Sequence, residues 1–105
     1  MINMTFMVHI RPEKREEFLQ VMRSLKGDGE HPGALAGVPA QLFRDVDDED
    51  RFSLMCEWDT SEHLNAYLGA EEFRVLLGAV KVLCDKTEIT YSRTMEKRPN
   101  LRLVR

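Results

Sequence analysis

The sequence predicts a single α+β domain with the element order βαββαβ and its helices on one face of an antiparallel sheet. Two observations carry most of this. Ile2, Met4, Phe6, Val8 and Ile10 recur at period two, and so do Phe52, Leu54, Cys56 and Trp58; this is the spacing of half-buried strands. Between and after them the apolar period changes to that of a helix, with Phe18, Val21, Met22 and Leu25 in one stripe and Phe73, Leu76, Leu77, Val80 and Leu83 in another.

The first strand presents Asn3, Thr5, Met7 and His9 on its other face. Pro12 then opens a helix, where its missing N–H costs nothing, and Glu13, Glu16 and Glu17 suit the positive end of the helix dipole. Gly27, Gly29, Pro32 and Gly33 punctuate a loop. A second strand is expected from about Leu35 to Asp45, and Pro39 confines it to a sheet edge or a bulge. Asp45, Asp47, Asp48, Glu49 and Asp50 read as a solvated acidic hairpin turn; EF-hand spacing is absent. After the third strand, Arg51 to Trp58, either Asp59 or Thr60 caps a helix, with Glu62 completing an Asp-x-x-Glu capping box. Gly69 divides that helix, so Leu64, Tyr67 and Leu68 fall on one segment and Phe73 to Leu83 on the next. A last strand is expected over about Thr87 to Met95. Right-handed crossovers fold this string into a ferredoxin-like split βαβ sheet.

The chain has 105 residues, which suits one core and not two. Apolar residues make up 43% and charged residues 31%, and the formal charge is −3, so nothing in the balance draws the chain to nucleic acid or an anionic membrane. RNA binding through the open sheet face also fails on residues, since Ser53, Met55 and Glu57 replace the basic and aromatic side chains such a face requires. The first ten residues alternate and lack a basic start, so no signal peptide is expected, and the longest apolar stretch, Val75 to Cys84, is too short to span a bilayer. Cys56 and Cys84 are expected to be buried free thiols in a cytoplasmic protein. His9, His31 and His63 show no metal-ligand spacing, and no phosphate loop or nucleophile elbow is present, so neither a metal nor a cofactor is expected.

The sheet face turned away from the helices carries Thr5, Met7, His9, Phe43, Ser53, Met55, Glu57, Thr90 and Ser92. A wet face would hold more Lys and Glu. This composition predicts a self-complementary contact, hence a homodimer.

The segment Phe52-Ser-Leu-Met-Cys-Glu57-Trp58-Asp-Thr-Ser-Glu62, the following Leu64, Tyr67, Leu68 and Phe73, and the upstream His31-Pro32-Gly33 and Leu42-Phe43-Arg44-Asp45 resemble the antibiotic biosynthesis monooxygenase family over about Met1 to Arg93. The resemblance implies a dimeric α+β barrel formed by two sheets face to face, with a pocket in each subunit between sheet and helices. The chain divides into a domain over 1–96 and a tail over 97–105; disorder is the default for a terminus, and the alternating Leu101 and Leu103 also fit an arm that pairs with a partner subunit. The resemblance sets Trp58 at the pocket wall. The best-known member carries an Asn four residues before this Trp and a Tyr six residues after it, where this chain has Leu54 and Leu64. The haem-degrading branch needs a Trp and a His where this chain has Tyr67 and Leu77, which argues against haem.

The candidate catalytic residues are therefore Trp58, to orient an aromatic substrate by stacking and by its indole N–H; Tyr67, whose hydroxyl could reach a substrate oxygen; and His63, the neutral-pH base nearest the motif. Phe6, Phe52, Leu54, Leu64, Phe73 and Tyr91 are the candidate substrate-binding residues. His9 and Glu57 are expected to make interface hydrogen bonds. Two functions fit. One is a cofactor-independent monooxygenase acting on a quinol or dihydroxyaromatic, which carries its own electrons. The other is a non-enzymatic dimeric module that binds a small aromatic ligand in the same pocket.

Overall fold

The computed structural model describes residues 1–27 and 33–95. The tail from 97 onward and the His31-Pro32 step lie outside the described residues. Strand β1 is Ile2–Ile10, helix α1 Arg15–Ser24, β2 Ala40–Arg44, β3 Arg51–Trp58, α2 Ser61–Leu68, α3 Glu71–Leu83 and β4 Cys84–Arg93. The four strands form one antiparallel sheet in the order β2-β3-β1-β4. This is the ferredoxin-like α+β arrangement.

Parity decides which face is buried. In register, Met4 faces Cys56, Phe6 faces Leu54 and Ile2 faces Trp58, so the even positions of both central strands share one side. All of them are buried, together with Phe18 of α1, Leu64 of α2 and Phe73, Leu76, Val80 and Leu83 of α3. Burial of one such side chain contributes about 1.5–3 kcal/mol, so the helices stay on this face. The opposite face leaves Met7, Phe43 and Met55 exposed, on three neighbouring strands.

Local chemistry moves several boundaries. Pro12 starts a single 3-10 turn, Pro12–Lys14, and the α-helix begins only at Arg15. The second strand is shorter than expected. Leu35–Val38 is a pair of tight turns, with Ala36 N–H donating to the Gly33 carbonyl and Val38 N–H to the Leu35 carbonyl, and Gly37 holds φ +76°, a value that favours glycine. Leu35 is fully buried, so this segment serves the core as a plug and not as a strand. Gly33 has no room for a side chain, since a Cβ there would lie 2.2 Å from the Ser24 carbonyl oxygen. Strand β2 is an edge strand, as Pro39 requires. The last strand starts earlier than expected, directly off α3 at Cys84, and ends at Arg93. Thr60, not Asp59, is the N-cap of α2, and its hydroxyl accepts from the His63 N–H.

The acidic hairpin turn is tied down as well as solvated. The Asp45 carboxylate accepts from the Asp47 and Asp48 N–H groups at 3.0 Å each. Asp50, only 14% exposed, takes a 2.8 Å bond from the Arg15 guanidinium and anchors the turn to α1. Cys56 and Cys84 are free and buried, and burial pushes their thiols up to about 12 and about 11. Among the described residues no helix is long and apolar enough to cross a membrane.

Candidate functional site

The nine candidate catalytic and substrate-binding residues fall into three places in the fold. Trp58 stands at the end of β3. Its ring packs on Tyr67 of α2 at 5.2 Å between centroids, Tyr67 packs on Phe73 of α3 at 5.6 Å, and Phe73 on Phe6 of β1 at 6.2 Å. Tilts of 39–58° are the offset and edge-on geometries that aromatic pairs favour. Leu54 and Leu64 are buried in the same core. Phe52 is elsewhere: it packs on Phe18 of α1 at 5.0 Å, toward the other end of the sheet. Tyr91 is on the helix-facing side by register with Met4, but β4 is an edge strand and leaves it 53% exposed.

A cavity of about 370 Å³ opens beside Trp58. Its walls are Gly37, Val38 and Pro39 from the plug that precedes β2, then Trp58, Asp59 and His63, with Met1 and Glu57 completing the lining. It lies at the end of β3, facing the 37–39 segment, and not between the sheet and the two C-terminal helices, where the resemblance sets it. The space behind Trp58 is occupied by the side chains of the aromatic series itself, and Trp58 is only 7% exposed.

His63 reaches this cavity because Thr60 caps α2 and turns its first residues back toward β3. Its ring Nδ1 is 2.5 Å from Asp59 Oδ1. The carboxylate can only accept, so Nδ1 carries the proton and Nε2 is the basic nitrogen. Asp59 raises the His63 pKa above its ordinary value, first by this hydrogen bond and then by its charge, and Glu62 adds to the effect. The shift on Asp59 agrees in direction: bonding to His63 holds its carboxyl below the usual range. Both side chains are 65% exposed, so water screens the pair and it adds little to stability.

The Tyr67 hydroxyl donates to the Ala34 carbonyl at 2.8 Å, and burial pushes its ionisation up to about 12. It ties α2 to the 33–39 plug. His9 is far from this site along the sheet. Its Nδ1 is 3.0 Å from Asp85 Oδ1 and its Nε2 is 3.3 Å from Asp48 Oδ2, so it joins the β2–β3 turn to β4. Among the described residues no group of three His, Cys, Asp or Glu is placed to hold a metal ion.

Two features were not drawn from the sequence. Asp59 was weighed only as a cap, although its i,i+4 spacing from His63 across a helix start was visible. The 37–39 wall was assigned to a strand, and only the turn at Gly37 reveals it.

Residues 1–77 match the family described as antibiotic biosynthesis monooxygenase. Solved structures share the fold. A conserved protein from Methanosarcina mazei superposes with a TM-score of 0.72 at 20% identity, covering 88% of this chain and 90% of its own. An antibiotic biosynthesis monooxygenase superposes with a TM-score of 0.72 at 18% identity, covering 91% and 100%. A Mycobacterium tuberculosis protein superposes with a TM-score of 0.73 at 13% identity, covering 91% and 96%. No curated protein sequence matches the chain.

Proposed function

The chain belongs to the antibiotic biosynthesis monooxygenase family, and from that membership we propose that it is a cofactor-independent monooxygenase for a quinol or other dihydroxyaromatic. The observation that carries this reading is the shared cavity: an aromatic wall, Trp58, and an imidazole, His63, border the same 370 Å³ space. Such a volume lies near the lower end of the range for small-molecule sites and suits a compact flat ring.

The reaction needs no external reductant. A quinol and dioxygen give a hydroxyquinone and water; one oxygen atom enters the ring as hydroxyl and the other leaves as water. The substrate loses four electrons, two in becoming a quinone and two at the hydroxylated carbon, and dioxygen takes all four. The protein has to hold the ring, promote its ionisation and exclude competing water. Trp58 supplies the surface for the ring. Tyr67 supports Trp58 from behind while its hydroxyl holds the Ala34 carbonyl. Phe6, Leu54, Leu64 and Phe73 back this pair and keep Trp58 in one orientation.

A second reading, ligand binding without turnover, is favoured by one specific feature. Leu54 and Leu64 are apolar, packed in the core and absent from the cavity wall, so neither position offers a hydrogen bond to a developing oxyanion in that cavity. One such bond is worth on the order of a hundredfold in rate, so turnover is expected to be slow.

Quinol titration should quench the fluorescence of Trp58, the only Trp in the chain, and an oxygen electrode should record slow, metal-free uptake that falls further in Trp58→Ala. Uptake unaffected by Trp58→Ala would reject this site; quenching with no uptake would select the binding module.

The active form in this reading is a homodimer in the cytoplasm, closed through the open sheet face. Met7, Phe43 and Met55 project from three adjacent strands there and leave an apolar patch in water. Light scattering at micromolar concentration should give twice the chain mass. Met55→Lys should shift it toward the monomer, because it puts an unpaired charge into the contact.

A further inference from the structure

We propose that Asp59 positions His63 as the base that takes the hydroxyl proton from a phenolic ring held against Trp58. This deepens the reading above and rests on it for the identity of the ligand. The argument is geometric. The Asp59 carboxylate, one residue beyond Trp58, bonds His63 Nδ1 at 2.5 Å and fixes the imidazole by its far nitrogen. The Thr60 hydroxyl bonds the His63 N–H at 3.1 Å and fixes the backbone beneath it. With the ring held at Nδ1 and the backbone held at its N–H, Nε2 is the only unbonded acceptor the imidazole offers, and Asp59, His63 and Trp58 all border one cavity. Val38 and Pro39 add apolar wall to the same cavity, so a flat ring held there shares the space with the imidazole.

The step is a proton transfer with complete balance. The ring hydroxyl gives its proton to Nε2 and becomes a phenolate; the Nδ1 proton stays on the imidazole, whose new positive charge is met by Asp59. No bond to carbon forms and no electron moves until the phenolate meets dioxygen. The other charged groups around the imidazole are Glu62 on its own helix, Glu57 from β3 and the amino group of Met1 on the cavity wall. The two glutamates disfavour a ligand that arrives as an anion, so the ligand enters neutral and ionises inside. Because the base must be neutral to accept, the rate should rise as pH climbs through the His63 pKa. Asp59 raises that pKa, so removing it should move this acidic limb to lower pH while weakening the base.

Two readouts separate this proposal from the oxygenase reading on which it rests. The first uses 4-nitrophenol, whose phenolate absorbs in the visible, added to the full chain at a pH where the free phenol is mainly neutral. The wild type should develop the phenolate band as the ligand binds; His63→Asn should abolish the band while the fluorescence of Trp58 still reports binding, and Asp59→Asn should weaken it. The second is the pH profile of oxygen uptake with a quinol. His63→Asn should lower turnover by roughly 10²–10⁴-fold and remove the acidic limb, and Asp59→Asn should shift the limb to lower pH with a smaller loss. Asp59 and His63 are largely exposed, so neither variant threatens folding. A phenolate band or acidic limb that is the same in wild type and His63→Asn overturns the proposal, and an unshifted limb in Asp59→Asn overturns the positioning role. A band that depends on His63 and Asp59, with no oxygen uptake at all, supports the proton transfer and rejects the oxygenase.

Discussion

Phe52 and Trp58 lie on the same face of the same strand, both buried, yet the two ends of β3 have different neighbours. Phe52 meets Phe18 at 5.0 Å, and the Arg44 guanidinium lies over its ring at 4.9 Å from the centre. The ten-residue helix α1 and an edge-strand cation pack on that end. Trp58 meets α2, a helix of only two turns, and beyond it the turns around Gly37. The indole is buried there too, at 7% exposure, but a cavity of about 370 Å³ remains beside it. The difference teaches that strand parity brings a side chain into the core, while the elements packed above it decide whether that place is filled or keeps a cavity beside it.

The comparison can be broken in several places. The largest effect should come from Phe52→Ala, which opens a void against Phe18 and should cost about 3–5 kcal/mol in urea unfolding. At a denaturant-free temperature where the variant is still folded, its quinol affinity by Trp58 quenching should match the wild type; weakened affinity would mean that the two ends are one coupled region. Tyr67→Phe should come next. It keeps the ring against Trp58 and leaves the Ala34 carbonyl without its donor, a loss of about 0.5–1.5 kcal/mol. Hydrogen exchange at the Leu35 and Val38 amides, whose bonds hold the plug, should quicken in that variant, and unchanged exchange would show that Tyr67 does not hold the plug. The smallest effect should be that of Arg44→Gln, about 0.5–1 kcal/mol for an exposed cation over a ring. A much larger loss would mean that Arg44 seals the Phe52 end by more than its charge.

Ionisation sharpens the same contrast. The Phe52 end is joined to the acidic turn through α1, by Arg15 and Asp50, and Asp50 raises the Arg15 pKa further above neutrality. Arg15 therefore keeps its charge across the neutral range, while on the other sheet face His9 bonds Asp48 of the same turn at 3.3 Å. The Trp58 end holds His63, whose pKa Asp59 raises above its ordinary value, so the pH dependence of ligand binding at the cavity should originate there. Measured quenching curves that titrate in His63→Asn as they do in the wild type would remove His63 as the source.

Period two in β1 and β3 and the helical stripes were enough to set four strands, three helical segments and the buried face, because alternation and the 3.6-residue repeat are local consequences of backbone geometry. Trp58, Tyr67 and Phe73 could be grouped in the same way: each lies on an inward face, and the inward faces must meet. What the sequence by itself could not determine was the space between them. Leu35 to Pro39 has strand-like composition, but Gly37 in a left-handed turn and Gly33 pressed against the α1 carbonyls make it a plug, and that depends on where α1 ends. Whether Tyr67 offers its hydroxyl to a ligand or to the chain was decided by the arrival of the Ala34 carbonyl from a distant segment. The side of Trp58 on which a cavity opens was decided by where the 37–39 segment meets the end of β3 and the start of α2. Local periodicity is written into consecutive residues; empty volume is a property of elements that meet only when the chain has folded, and only the tertiary structure decides it.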